Sequence, residues 1–118
     1  MKYRRGEVVL AFYPVATGIG SSRRPCVVVQ NDVDNQKIDN AVVAQITTNL
    51  ARASDKSHVL IEVKSAAGRL AGLLHDSVIS CNNLATIHET RIQHRIGILG
   101  PATLHQLDGA LKAALELP

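Results

Sequence analysis

The stretch "GIGSSRRPCVVVQND", residues 18–32, decides the fold. Glycine and serine give way to two arginines and a proline, then to a run of apolar residues, then to polar turn formers. The glycines and serines read as loop. Pro25 suits the head of a strand, where its missing N–H costs no ladder hydrogen bond, so a strand is expected over 25–30. Arg23 and Arg24 then stand where a loose loop enters a buried strand.

Outward from that point, "EVVLAFY" (7–13) is β-branched and aromatic and reads as another strand. Val8, Leu10 and Phe12 share one face and Val9 and Ala11 the other. Two apolar faces suit a closed or strongly curved sheet buried on both sides. Residues 14–22 carry a proline, two glycines and two serines and read as a mobile loop. "NDVDNQKIDN" (31–40) is a polar turn region. "AVVAQITT" (41–48), "HVLIEV" (58–63), "SVISCN" (77–82) and the short "RIGIL" (95–99) read as strands, with Val59, Ile61 and Val63 inward. "KSAAGRLAGLLHD" (64–76) is open between loop and short helix. After "GP", Leu104, Leu107, Leu111 and Leu115 recur at helical spacing, and Pro101 suits a first helical turn. About five short strands followed by a terminal helix predict a mainly β chain: a small half-open barrel with a helix packed on it.

With 118 residues the chain suffices for one core, so a single domain over 1–118 is expected. Aromatic content of 3% leaves the core to aliphatic side chains and counts against a broad aromatic platform for stacking bases. A net charge of +3 is compatible with RNA, DNA or an acidic protein partner and selects none of them. Cys26 and Cys81 lie in apolar runs with no C-x-x-C pair, which reads as two buried thiols in a reducing cytosol. The apolar run near the N-terminus is short and contains Glu7, and no stretch approaches membrane-spanning length. The expectation is a soluble cytoplasmic protein with no membrane partner.

Three motif readings fail. "GIGSSR" lacks the third glycine of a phosphate loop and precedes a strand rather than a helix. "HETRIQH" (88–94) places its second histidine too far on for H-E-x-x-H, and no other metal-ligand spacing occurs, so neither a metal nor a cofactor is expected. There is no G-x-S-x-G nucleophile elbow.

What remains is Arg24 beside Pro25, and Thr47 and Thr48 ending the strand over 41–48. A guanidinium is a planar fork of donors matched to phosphate oxygens, and a threonine hydroxyl can bond another such oxygen. A ribonuclease that uses the 2′-hydroxyl of RNA as nucleophile needs groups of this kind to hold the phosphate and stabilise the transition-state charge. Spacing alone favours the plainer reading: a surface ion pair at Arg24 and a β-forming residue at Thr47.

The series "RRGEVVLAFY", "RRPCVVVQND", "AVVAQITT", "HVLIEV", "DSVISCNNLATI" and "RIGILGPATLHQLDGALKAAL" resembles the MazF/PemK family of type II toxins over nearly the whole chain. The resemblance implies a Src-homology-3-like half-open barrel shared with CcdB, dimerisation, and metal-free cleavage of single-stranded mRNA. It also implies neutralisation by a cognate antitoxin with an acidic disordered tail. Carried over, Arg24 matches the family's catalytic arginine and Thr47 its catalytic threonine. The loop over 14–23 matches the one covering the RNA, which makes Gly20, Ser21, Ser22 and Arg23 candidates for RNA binding, and Thr48 and Asn82 outside that loop are further candidates.

The chain also departs from the pattern. The loop "TGIGSS" has no acidic residue, and Asn82, Asn83, Ala85 and His88 stand where many members have an acid, Gln, Arg and Asp. Histidine titrates nearest neutrality, so His75 and His88, which flank the "DSV" strand, are the candidates for proton transfer. A non-catalytic toxin acting on a protein target, as CcdB acts on gyrase, and a co-repressor partner for an antitoxin stand as alternatives on the same fold.

Overall fold

Strand β1 (Glu7–Pro14) and strand β2 (Ser21–Val28) form an antiparallel hairpin in register from Val8↔Val27 to Pro14↔Ser21. The computed structural model describes residues 1–15 and 17–118; Ala16, within the loop expected at 14–22, lies outside the described residues. The hairpin is longer than expected. β2 begins at Ser21 rather than Pro25, so Arg23 and Arg24 are strand residues. Pro25 is tolerated inside the strand because the ladder to the neighbour on its other side starts only at Cys26. On that side the first half of β2 is an edge, where a missing N–H is harmless.

Six strands form one antiparallel sheet, each corresponding to one of the six segments read as strands. Strands β3 (Asn40–Thr47), β4 (His58–Ile61), β5 (Ser77–His88) and β6 (Ile92–Ile98) complete it in the order β4-β5-β3-β2-β1-β6. β5 runs on to His88, past the expected end at Asn82. Two asparagines interrupt the β signal there, and a bulge absorbs them: the ladder steps from Gln45↔Ser80 to Ala44↔Leu84, leaving Cys81, Asn82 and Asn83 in the excess. β4 is shorter than expected, and β6 starts before the expected "RIGIL".

Helix α1 (Asp32–Lys37) occupies the expected turn region. Asn31 caps it by accepting from the Asp34 N–H, and Asp32 and Asp34 complement the helix dipole. Helix α2 (Ala66–Ala71) resolves the ambiguous segment: Ser65 caps its start and Gly72, at φ 73°, its end. A Cβ on Gly72 would lie 2.0 Å from the Ile96 carbonyl oxygen, so α2 ends directly against the β6 backbone.

Alternation along the strands sorts the core into two clusters. Val8, Val27, Ala44, Ile46, Ile79 and Cys81 pack on one side, with Leu107 and Ala110 of helix α3 (Pro101–Leu115). Val9, Ala11, Tyr13, Cys26, Val28 and Val43 pack on the other with Ile87 and Ile92. Leu115 is exposed, so the expected leucine stripe ends before the last turn. The sheet curls enough for β1 to reach β5 across the two strands between them: the buried Tyr13 hydroxyl donates to the Asn83 carbonyl oxygen at 2.5 Å. Both cysteines are buried free thiols. No described helix is long and apolar enough to cross a membrane.

Candidate functional site

Gln45 and Thr47 lie on one face of β3, two residues apart. Both line a polar cleft of about 250 Å³ together with Asn49, His58, Ser80 and Asn83. His58 opens β4 opposite Ser80 of β5, which is itself opposite Gln45, so its imidazole joins the cleft from across β5. Its Nδ1 lies 3.0 Å from Ser57 Oγ, so the ring is oriented from behind and Nε2 is left without a protein partner among the described residues. Thr47 Oγ1 accepts from the Asn49 N–H at 3.1 Å. That bond uses one lone pair and leaves the hydroxyl hydrogen available.

Arg24 reaches the same face from β2. Cys26 is opposite Gln45, and one alternation further along each strand stand Arg24 and Thr47. The β2–β3 ladder stops at Cys26, so the two strands part where these residues sit. Arg24 is exposed and donates through Nε to Ser22 Oγ at 3.0 Å. Among the described residues no carboxylate pairs with it, in contrast to Arg5 and Arg95, which pair with Asp108 and Glu7.

The other expected residues are dispersed. His88, Gly20 and Ser21 line a second cleft of about 410 Å³ with Arg91. The Arg91 guanidinium stacks over Phe12 at 5.3 Å and donates to Ser21 Oγ at 2.9 Å. His88 is opposite Asn40, the start of β3, whereas Thr47 is its end, so His88 does not line the Thr47 cleft. His75 and Thr48 line a third, apolar groove of about 520 Å³ with Leu10, Leu74 and His94. Alternation turns Thr48 away from the Thr47 face. Arg23, opposite Phe12, is turned away from Arg24 in the same manner, and Asn82 stands exposed in the bulge. The expectation placed proton transfer on His75 or His88; the histidine beside Thr47 is His58. Its signal in the sequence was its position at the head of "HVLIEV", which the sequence reading took only as a strand start.

Burial pushes the Cys26 thiol up to about 12 and the Cys81 thiol up to about 11, so neither supplies a thiolate nucleophile near neutral pH. Among the described residues no group of three or more His, Cys, Asp or Glu is placed to hold a metal ion.

The family described as PemK-like, MazF-like toxin of type II toxin-antitoxin system matches residues 4–115. The chain belongs to this family. It is 33% identical over 118 residues to the endoribonuclease EndoA of Bacillus subtilis, covering 99% of this chain and 97% of that protein. It is 33% identical over 115 residues to the endoribonuclease MazF of Staphylococcus epidermidis, covering 97% and 92%. Its fold is that of a solved endoribonuclease in complex with its cognate antitoxin from Mycobacterial species. The TM-score is 0.75 at 23% identity, with 98% of this chain and 97% of that one covered. Within this PemK/MazF-like chain, Arg24 stands across from Thr47 by strand register, where the β2–β3 ladder has ended, while the arginine lining the Thr47 cleft itself is Arg52.

Proposed function

We propose that this chain is the toxin of a type II toxin–antitoxin pair and cuts single-stranded mRNA, with residues 1–118 acting as one domain. The observation that carries the reading is the Arg24 guanidinium, without a carboxylate partner among the described residues, on the same sheet face as Thr47 at the point where the β2–β3 ladder ends. Substrate phosphate sits in that parting. The Arg24 terminal nitrogens stabilise the charge gathering on the non-bridging oxygens, and the Thr47 hydroxyl fixes the phosphate's orientation.

The 2′-hydroxyl attacks the adjacent phosphorus. The bond from phosphorus to the 5′-oxygen breaks, leaving a 2′,3′-cyclic phosphate and a 5′-hydroxyl. His58 takes the 2′ proton at Nε2, and the departing 5′-oxygen is protonated from solvent. The nucleophile belongs to the RNA, so the scheme uses no metal and no cofactor. Ser22 holds Arg24. Arg23, Gly20, Ser21, Thr48 and Asn82 contact RNA only where it extends beyond the scissile phosphate.

The protein acts in the cytoplasm as a homodimer. The groove lined by Leu10, Leu74 and Ile96, with Leu74 85% exposed, is apolar surface that such pairing has reason to cover. Light scattering that finds only monomer at micromolar concentration removes the dimer. An antitoxin with an acidic disordered tail covers Arg24 and blocks the site. Such ordering onto a cation weakens with salt, and tail affinity that is flat between low and high salt contradicts it.

The reading as a whole is tested by incubating the purified protein with a long unstructured RNA in excess chelator. Cleavage of the RNA and sparing of the matching DNA are expected. Absence of RNA cleavage transfers the chain to the alternative, a toxin of this fold that binds a protein target without cutting RNA.

A further inference from the structure

The bulge in β5 leaves the Asn83 carbonyl outside the β3–β5 ladder, which steps directly from Ser80 to Leu84. The Tyr13 hydroxyl reaches across the curled sheet and donates to that carbonyl at 2.5 Å, with Asn83 Oδ1 3.3 Å away. Tyr13 itself is buried at 2% exposure, so its position is set by the core. Asn83 Nδ2 in turn donates to Gln45 Oε1. The chain Tyr13, Asn83, Gln45 therefore runs from the core to the floor of the Thr47 cleft.

This chain fixes the chemical face that Gln45 shows. Its carbonyl oxygen is engaged by Asn83. Its amino group has no partner among the described residues, and none of their buried side-chain polar atoms is left unsatisfied. The free amino group therefore faces the open cleft, one alternation from Thr47. A glutamine amide offers both donors and an acceptor; here the acceptor end is turned to Asn83 and the donor end to the cleft.

We propose that Tyr13 is a positioning residue, and that through Asn83 it turns the Gln45 amino group to the cleft as a reader of uracil O4 or guanine O6 beside the scissile phosphate. The inference rests on the ribonuclease reading and deepens it. A donor at this place pairs with a keto oxygen. At that same edge position cytosine N4 and adenine N6 are amino groups, which meet it donor to donor, and a mismatch of that kind closed off from water costs more than the hydrogen bond gains.

The test is cleavage of a randomised RNA pool by the wild-type protein, Gln45→Glu and Tyr13→Phe, with every cut position sequenced and thermal unfolding followed in parallel. Wild type is expected to favour keto over amino bases by about 10-fold at one position flanking the cut, the scale of one net hydrogen bond. Gln45→Glu keeps an acceptor for Asn83 and turns an acceptor to the cleft, so the preference at that position reverses toward adenine and cytosine. Tyr13→Phe keeps the ring, frees the Asn83 carbonyl, and flattens the preference while cutting persists. A merely structural tyrosine lowers the unfolding temperature and total rate but leaves the preference intact. That result for Tyr13→Phe, or an unchanged preference in Gln45→Glu, overturns the inference while the ribonuclease reading stands. If Tyr13→Phe does not fold, the half-buried Gln45 carries the test through Gln45→Glu alone. If wild type cuts no RNA in the pool, the ribonuclease reading falls and this inference falls with it.

Discussion

Arg24 donates to Ser22 Oγ through Nε, at 3.0 Å, and not through its terminal nitrogens. The two residues are one alternation apart on β2, so the bond stays within one face of one strand. It fixes the guanidinium plane while the fork that grips phosphate stays free.

Replacement of Arg24 follows from that geometry. Arg24→Ala should lower RNA cleavage by about 100-fold or more, the scale for losing one transition-state charge stabiliser. Arg24→Lys should not restore it, because lysine has neither the planar fork nor an Nε to meet Ser22. The side chain is exposed and fills no core, so the unfolding temperature of both variants should match wild type. Retention of cleavage in Arg24→Ala removes the arginine from the mechanism.

Proton transfer is the second point. His58 shares a cleft with Thr47, whereas His88 and His75 line separate clefts. His58→Ala should slow cleavage by about 100-fold or more. His88→Ala and His75→Ala should keep the wild-type rate. A wild-type rate in His58→Ala, with a slowed one in His88→Ala, returns the role to His88.

Arg24 and Thr47 are legible through the family resemblance; their local features, a charged residue beside a proline and a hydroxyl at the end of a β-branched run, favour the plainer reading when taken alone. Face and period then decide that Thr48 and Arg23 point elsewhere, which strand alternation makes legible once strand boundaries are known. The boundaries themselves were harder. β2 extends back through "SSRR" because the hairpin partner β1 recruits it, a tertiary effect that overrides glycine and serine signals. β5 extends through "NNLATIH" because a bulge absorbs the asparagines, and no single-strand pattern reveals which residue a bulge will skip. His58 was missed for a related reason. Its neighbourhood is made by β5 crossing between β3 and β4, a contact between segments distant in sequence.

The thiols give a prediction about stability. Burial raises the folded-state values of Cys26 to about 12 and Cys81 to about 11 from an ordinary 9.0. The unfolded chain releases these protons first as pH rises through about 9. Their contribution to stability is therefore fully present below that pH and is lost progressively toward pH 11 and 12. Denaturant midpoints should be insensitive to the thiols between pH 7 and 8 and should fall above pH 9, with Cys26→Ser and Cys81→Ser weakening that alkaline fall. In the folded protein at pH 7.5 neither thiol should react with iodoacetamide within the time that full denaturation allows complete labelling. Rapid labelling of the native protein contradicts the burial.

The central claim is that the RNA supplies its own nucleophile and the chain supplies Arg24, Thr47 and His58 around the phosphate. The most direct measurement uses a short RNA with one mapped cleavage site, prepared twice, once all-ribose and once with a single 2′-deoxy nucleotide immediately 5′ to the scissile phosphate. Both are incubated with wild-type protein in excess chelator, and the products are resolved by mass. The account predicts a 2′,3′-cyclic phosphate and a 5′-hydroxyl from the first and no cleavage at that phosphate in the second. Cleavage of the deoxy-substituted strand at the same phosphate would contradict it.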